Sequence, residues 1–443
     1  MNMLGWRILG QGDYRLDLPV LGAEEESLIL AAEERFREAA RGGAVESERL
    51  ILQALLGAAA EKGVYLSRQQ EERLGKIAHM HIYGFGFVEP LLADPEIEEI
   101  SVIGPRKPAY VCLRRKGWMK VNAAFDDEKA IGEMINKMAA RLGRRITMQN
   151  PRLDAMLPDG SRLHASLPPV SLGEITIRRF RERPFSPAEL AANGTAGARL
   201  LAFLSVLMQS DSSILIAGNT ASGKTTTLNA LFSFVPANER IIITEETPEI
   251  MVPHGQQIRM VANRDMGISL RDLVYDTLRM RPDRMIVGEV RNRDETQALF
   301  DVLLAGQARG CYATFHAQSA EEALSRLRAF GIAGNDLGSI DCIVVQRRML
   351  YYDPEKRSSS EVRRVVEVAE IADEKAKIIY GKGAKLERGV LFCRVAESFG
   401  MSEKEMMAEL EARTKLITKE GPGYMEFFTS VQKKLYGLGG GLA

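Results

Sequence analysis

The spacing of apolar positions changes several times along this chain, and each change predicts a different kind of structure. Over residues 23–80, Leu28, Leu30, Phe36, Leu50, Leu52, Leu55 and Leu56 fall at helix-face spacings among Glu, Ala and Arg, which predicts two or three amphipathic helices. Gly42, Gly43 and Gly63 punctuate them, and Ser67 with Glu71 close behind suits a helix start. Such helices either pack as a small bundle or lay an apolar face into a partner's groove. After residue 80 the pattern becomes that of strands. Residues 97–103, 110–113 and 118–121 read as strands, the last two forming a hairpin around Lys116-Gly117, and residues 126–142 carry a helical pattern. Two short strands flank a turn at Pro158-Asp159-Gly160, and residues 174–180 alternate Ile175 and Ile177 with Thr176 and Arg178. The expectation is an N-terminal helical region over residues 1–80 and one α+β domain over residues 81–182.

Pro184 and Pro187 stiffen residues 183–198, the expected linker, where Ser186 and Glu189 make a capping box for the next helix. From residue 199 helix, strand and helix alternate, which predicts a mostly parallel sheet with helices on both faces over residues 199–443. Its tail, residues 402–438, reads as helical and runs into Gly439-Gly440-Gly441.

Candidate chemistry enters at the first strand of that second region. Residues 214–217 are short and β-branched enough for a central parallel strand, and Gly218-Asn219-Thr220-Ala221-Ser222-Gly223-Lys224-Thr225-Thr226 follows immediately. This is the P-loop spacing, placed where it must be, between a strand and a helix. Gly218 and Gly223 let the backbone wrap until its N–H groups converge, and the helix starting near Lys224 adds the positive end of its dipole. Lys224 would reach the β- and γ-phosphates of ATP and the Thr225 hydroxyl would ligate Mg²⁺. A glycine-rich turn that happens to carry a lysine is the bland alternative, and it does not explain the strand and helix on either side.

Composition narrows what the energy of such a site is used for. Lys plus Arg equals Asp plus Glu at 59 each, so the chain lacks the overall basic excess of many nucleic-acid motors. Cys112, Cys311, Cys342 and Cys393 are far apart, which suggests neither a zinc site nor a disulfide framework and points to a reducing, cytosolic compartment. The most apolar run, residues 200–208, falls far short of the roughly 18 residues that span a bilayer. The first residues reach Arg7, Gln11 and Asp13 without an apolar core, so no signal peptide is expected.

Three further apolar stretches end in polar groups. Residues 240–246 end in Glu245 and Glu246, residues 285–289 end in Glu289, and residues 311–315 lead to His316. At the carboxyl ends of parallel strands these groups would face a nucleotide crevice. The bland alternatives are a solvated acidic loop for the glutamates and a structural hydrogen bond for the histidine. Together with Leu278-Arg279-Met280-Arg281-Pro282-Asp283 and Val290-Arg291, these stretches resemble the secretion ATPase family, which drives type II secretion, type IV pilus assembly, archaellum assembly and type IV secretion. Its four boxes stand here in family order: Walker A at 218–225, the Asp box at 245–249, Walker B at 285–291 and the His box at 310–317. Residues 84–92 and 154–180 extend the resemblance into the first region.

The resemblance implies an α/β protein. A RecA-like P-loop ATPase domain with a parallel sheet would follow a smaller α+β domain and an N-terminal helical bundle. It assigns Lys224 and Thr225 to phosphate and Mg²⁺, Glu289 to Mg²⁺ and the attacking water, and Glu245 and His316 to the Asp and His boxes. Arg162 and Arg178 match first-domain arginines that reach the phosphates on closure, and Arg279 and Arg291 match arginines flanking Walker B. Glu246 stands where the family usually carries aspartate, which keeps the charge on a longer arm. The four-cysteine zinc insertion of many type II secretion ATPases is absent, and the wording of residues 84–95 and 108–111 is closer to the archaeal pilus and archaellum group. The implied protein is a hexameric ring motor, peripheral at the cytoplasmic face of a membrane and acting on an inner-membrane platform protein, with no nucleic acid. A nucleic-acid translocase and an ATP-gated scaffold without turnover are the alternatives.

Overall fold

The structure, a computed structural model, describes residues 6–8, 13–17, 21–41, 48–114, 116–179, 183–263, 266–355, 357–381, 386–419 and 423–438. Gly42, Gly43, Phe180 and Gly439-Gly440-Gly441 lie outside the described residues. The chain divides into two compact units, Met1–Arg181 and Glu182–Ala443.

The first unit runs β1 (Trp6–Ile8), α1 (Ala23–Arg41), α2 (Glu48–Glu61), α3 (Arg68–Ile82), α4 (Val88–Ala93), β2 (Ile97–Val102), β3 (Pro108–Leu113), β4 (Gly117–Phe125), α5 (Glu128–Ala140), β5 (Arg152–Met156), β6 (Arg162–Ser166) and β7 (Glu174–Arg178). Its strands form one antiparallel sheet in the order β1-β4-β3-β2-β7-β6-β5. Leu28 of α1, Leu55 of α2 and Leu74 of α3 share a single buried core with Ile100, Val111, Leu163 and Ile177 of the sheet. The expected N-terminal helical region therefore has no core of its own. A sheet with one apolar face needs a cover, and the helices' apolar stripes supply it. Ser67 opens α3 with a capping box, completed by Gln70 rather than Glu71 because the reciprocal bond reaches only the third helical residue.

The second unit runs α6 (Pro187–Ala192), α7 (Ala198–Gln209), β8 (Ile214–Gly218), α8 (Lys224–Leu231), β9 (Ile241–Glu245), β10 (Gln257–Val261), α9 (Leu270–Asp276), β11 (Arg284–Val290), α10 (Arg293–Ala305), β12 (Gly310–Phe315), α11 (Ala320–Ala329), β13 (Cys342–Asp353), β14 (Ser358–Ala372), β15 (Lys375–Tyr380), α12 (Val390–Ser398), α13 (Glu403–Lys419) and α14 (Tyr424–Tyr436). The sheet order is β10-β9-β11-β12-β8-β13-β14-β15; the first six strands are parallel, and β14 and β15 are antiparallel. Successive side chains of a strand point to opposite faces, so Ile214, Ile216, Ile243 and Val344 enter one core while Leu215, Ala217, Val287 and Val345 enter another. This is the RecA-like arrangement of a central sheet between two helical layers. The apolar run at 200–208 is α7, buried on every side and packed against α13. The expected linker carries α6, whose Leu190 is buried in the same core as α7.

Candidate nucleotide site

The site lies where β8, β9, β11 and β12 end, because parallel strands bring their carboxyl ends to one edge of a sheet. β12 and β13 flank β8, β11 lies beyond β12, and β9 beyond β11. Gly218 closes β8 so near to β13 that a Cβ there would collide with the carbonyl oxygen of Gln346. Gly223 turns the chain into α8 at φ +92, in the left-handed region that glycine enters freely, and a Cβ there would lie 2.9 Å from the Gln346 side-chain nitrogen. Ala221 also takes a left-handed backbone, at φ +59. The Ser222 hydroxyl is buried and has no hydrogen-bond partner among the described residues. A loop that demands glycine at both ends, an orphaned hydroxyl and a helix N-terminus together fit a bound phosphate chain.

Lys224 is buried at the start of α8. Its Nζ donates to the carbonyl oxygens of Gly218 and Asn219 at 3.3 and 3.4 Å and stands 3.8 Å from Glu289 Oε1. The Thr225 hydroxyl donates to Glu249 Oε2 at 3.3 Å. Asn219 and Thr220 on the loop and Thr226 in the first turn of α8 are half-buried or exposed.

Glu289 is the hub of the acidic side. His316 Nε2 lies 2.7 Å from its Oε1, and Arg291 Nε donates to its Oε2 at 2.6 Å. Arg291 also pairs with Glu246, so one guanidinium bridges the Asp box and Walker B. Burial alone would raise the Glu289 pKa, but the charges of Arg291, Lys224 and His316 outweigh it and hold the carboxyl below its usual range. Burial, with help from Lys224, lowers the His316 pKa against the pull of Glu289. A carboxylate only accepts, so the Nε2 facing it carries the imidazole proton.

Glu245 behaves in the opposite way. It is 1% exposed, and its Oε1 accepts the backbone N–H groups of Glu249 and Ile250, both at 2.8 Å. Gly288 leaves room for it, since a Cβ there would lie 2.9 Å from Glu245 Cγ. Burial raises its pKa to about 7, more than the two N–H bonds and Arg259 can offset. Two carboxyls at one strand edge are thus driven apart, which separates their roles: Glu289 is the ionised group, and Glu245 shapes the turn beneath it.

The family model for type II/IV secretion system proteins matches residues 83–415. The chain belongs to this family. An uncharacterized protein of Methanocaldococcus jannaschii is 33% identical over 60% of this chain and 49% of its own length, and a second from that organism is 36% identical over 50% and 33%. The chain therefore spans half or less of the length of these relatives. The type IV secretion system protein VirB11 of Bartonella quintana is 28% identical over 61% of this chain and 93% of its own. Two solved structures are similar more loosely. The ATPase DotB of Legionella pneumophila has a TM-score of 0.47 at 16% identity, over 79% of this chain and 92% of that one. The pilus retraction motor PilT with bound ADP has a TM-score of 0.48 at 15% identity, over 80% and 98%. Overlaps at this level transfer no residue's role.

In this secretion-family protein the second unit brings together Lys224, Thr225, Glu245, Glu246, Glu289, Arg291 and His316. Arg279 stays apart, exposed in the 3₁₀ turn at Thr277–Arg279 and in no ion pair among the described residues. Arg162 and Arg178 belong to the first unit, directly opposite each other on β6 and β7, with Glu99 of β2 on the far side of Arg178. Glu249 is a site residue that the sequence pattern does not single out. Its signal is its place at the close of the Glu245-Glu246-Thr247-Pro248-Glu249 stretch, but that stretch does not reveal which carboxylate faces Thr225.

Proposed function

We propose that this chain is a Mg²⁺-dependent ATPase that works as a hexameric ring at the cytoplasmic face of a membrane. There it drives assembly of a pilus-like filament, or protein secretion, through a membrane platform protein. The observation that carries this reading is the convergence of Lys224, Arg291 and His316 on Glu289 beside a glycine-closed loop. Backbone N–H groups of residues 219–224 and the Lys224 ammonium would hold the phosphates, and the Thr225 hydroxyl with Glu289 would hold the cation. Mg²⁺ bound there would neutralise charge on the β- and γ-phosphate oxygens.

Each side chain has a task its surroundings favour. Glu289, held ionised, orients the attacking water and accepts its proton. His316 donates to Glu289 through Nε2 and holds the carboxylate in place. Arg291 ties Glu289 to Glu246, so the Asp box and Walker B move as one piece. Glu249 accepts the hydrogen bond of the Thr225 hydroxyl, which leaves the hydroxyl lone pairs for the cation. Arg162 and Arg178 are like charges on adjacent strands, an unfavourable pairing by itself that a polyphosphate would relieve. Offered to the nucleotide, they would stabilise charge spreading over the transferred phosphoryl group.

Steady-state ATP hydrolysis by the full chain with Mg²⁺ tests the reading, for wild type and Glu289→Gln, with and without single-stranded DNA. Wild type is expected to turn over, Glu289→Gln to lose roughly 10²-fold or more while still binding ATP, and DNA to change neither. Absence of turnover in a folded ring would favour a nucleotide-gated scaffold, and strong DNA stimulation would favour a translocase.

A further inference from the structure

The nucleotide loop does not keep its shape unaided. β13 pairs with β8 from Cys342 to Gln346, and at Gln346 the side chain is only 1% exposed and turned into the loop. Its Oε1 accepts the Thr227 hydroxyl at 2.6 Å, and its Nε2 donates to the Ser222 carbonyl oxygen at 2.8 Å. Ser222 lies on the loop and Thr227 in the first turn of α8, so one amide spans the left-handed Gly223 from both sides. One residue pair further along, the Asn219 side chain accepts the Arg348 N–H at 3.0 Å and donates to the Arg348 carbonyl at 3.3 Å. Both limbs of the loop thus lean on the same strand.

The bond to Ser222 sets a direction as well as a distance. In a planar trans peptide the C=O and the following N–H point opposite ways. With the Ser222 carbonyl pinned toward β13, the Gly223 N–H is turned away from it, toward the open side of the loop. Without the pin, a peptide next to a glycine rotates at little cost. We propose that Gln346 is a positioning residue for nucleotide binding: its side-chain amide locks the Ser222–Gly223 peptide so that the Gly223 N–H is aimed at the bound phosphates. This rests on the nucleotide reading of the loop and adds a residue that touches no phosphate. The effect falls on the phosphate end of the ligand, so it is blind to the base. It also falls equally on ground and transition states, so it raises KM far more than it changes kcat.

The test uses the full chain as wild type, Gln346→Met and Thr227→Val. Met is near in size and shape and makes neither hydrogen bond. Thr227→Val removes one of the two. Kd for MgATP and MgGTP, KM and kcat for MgATP, and the melting temperature without nucleotide are measured. Gln346→Met is expected to raise Kd by roughly tenfold for both nucleotides, with a matching rise in KM and a far smaller change in kcat, and Thr227→Val to fall between. A folded Gln346→Met with wild-type Kd and KM overturns the proposal, whatever its melting temperature, and so does a loss confined to kcat or to one base. If Gln346→Met does not fold, Thr227→Val decides by the same criterion. Wild type that binds neither nucleotide overturns the nucleotide reading itself, an outcome distinct from wild type that binds and a variant that binds equally well.

Discussion

Glu245 shows how one buried carboxyl ties the candidate site to pH. Its folded-state pKa of about 7 lies above the value of 4.5 expected in the unfolded chain. Between these values the folded protein holds a proton that the unfolded chain has lost, so the unfolded state binds fewer protons and stability falls as pH rises. The contribution is complete below about pH 4.5 and gone above about pH 7. Glu245→Gln keeps the shape and an acceptor for the Glu249 and Ile250 N–H groups, and it removes the titration. Thermal melts from acid to neutral pH should therefore show the variant gaining on wild type as pH rises, by on the order of 3 kcal/mol across the window. Parallel curves would mean that the Glu245 pKa is the same in the folded and unfolded chain. At Glu289, where cations outweigh burial, no such penalty for ionisation near neutrality is expected.

Among the elements, α6 shows most directly how local sequence becomes packing. Ser186 Oγ accepts the Glu189 N–H at 3.1 Å, Glu189 Oε2 accepts the Ser186 N–H at 2.8 Å, and Pro187 occupies the first turn, where its missing N–H leaves no bond unmade. The capped helix then buries Leu190 in the core of the second unit. Ser186 is itself fully buried, so its replacement leaves the Glu189 N–H without a partner and without water. Ser186→Ala should cost about 1–2 kcal/mol, read as a lower denaturation midpoint at unchanged slope. MgATP affinity should stay as in wild type, because α6 supplies no residue to the loop. The β13–β14 pair is an element of another kind. Its inner half is part of the sheet, while Leu350, Tyr351 and Tyr352 of its outer half are exposed.

At the scale of the whole molecule, two units share one chain, and the proposed motor needs both. Arg162 and Arg178 in the first unit are proposed to act on a nucleotide held by the second. Arg162→Ala and Arg178→Ala should each leave MgATP binding largely intact and lower turnover by about 10³-fold, the lower end of what a contributed arginine supplies. Full turnover in both variants would remove these arginines from the mechanism. Light scattering with a non-hydrolysed ATP analogue should give the mass of six chains if the ring forms, and a monomer mass would count against it. No helix of the described residues is long and apolar enough to cross a membrane.

Features held by contiguous residues are legible in the sequence itself. The strand, the two glycines, the lysine and the helix start at 214–227 make demands on each other within a few bonds. The Ser186 capping box and the alternation in β7 are equally local, and four boxes in order carry the family. What a one-dimensional pattern does not decide is the order of strands. Placing β11 between β9 and β12 is a tertiary choice, and that choice sets His316 against Glu289 and lets Arg291 reach Glu246. Burial is not written there either: Glu245 and Glu289 both end an apolar strand, yet one lies beneath Gly288 with Arg259 beside it and the other meets Arg291, Lys224 and His316. Gln346 lies 119 residues from Thr227, and only the pairing of β13 with β8 brings its amide to the loop. Local backbone geometry is written into neighbouring residues, whereas electrostatic surroundings are the sum of whatever the folded chain brings near.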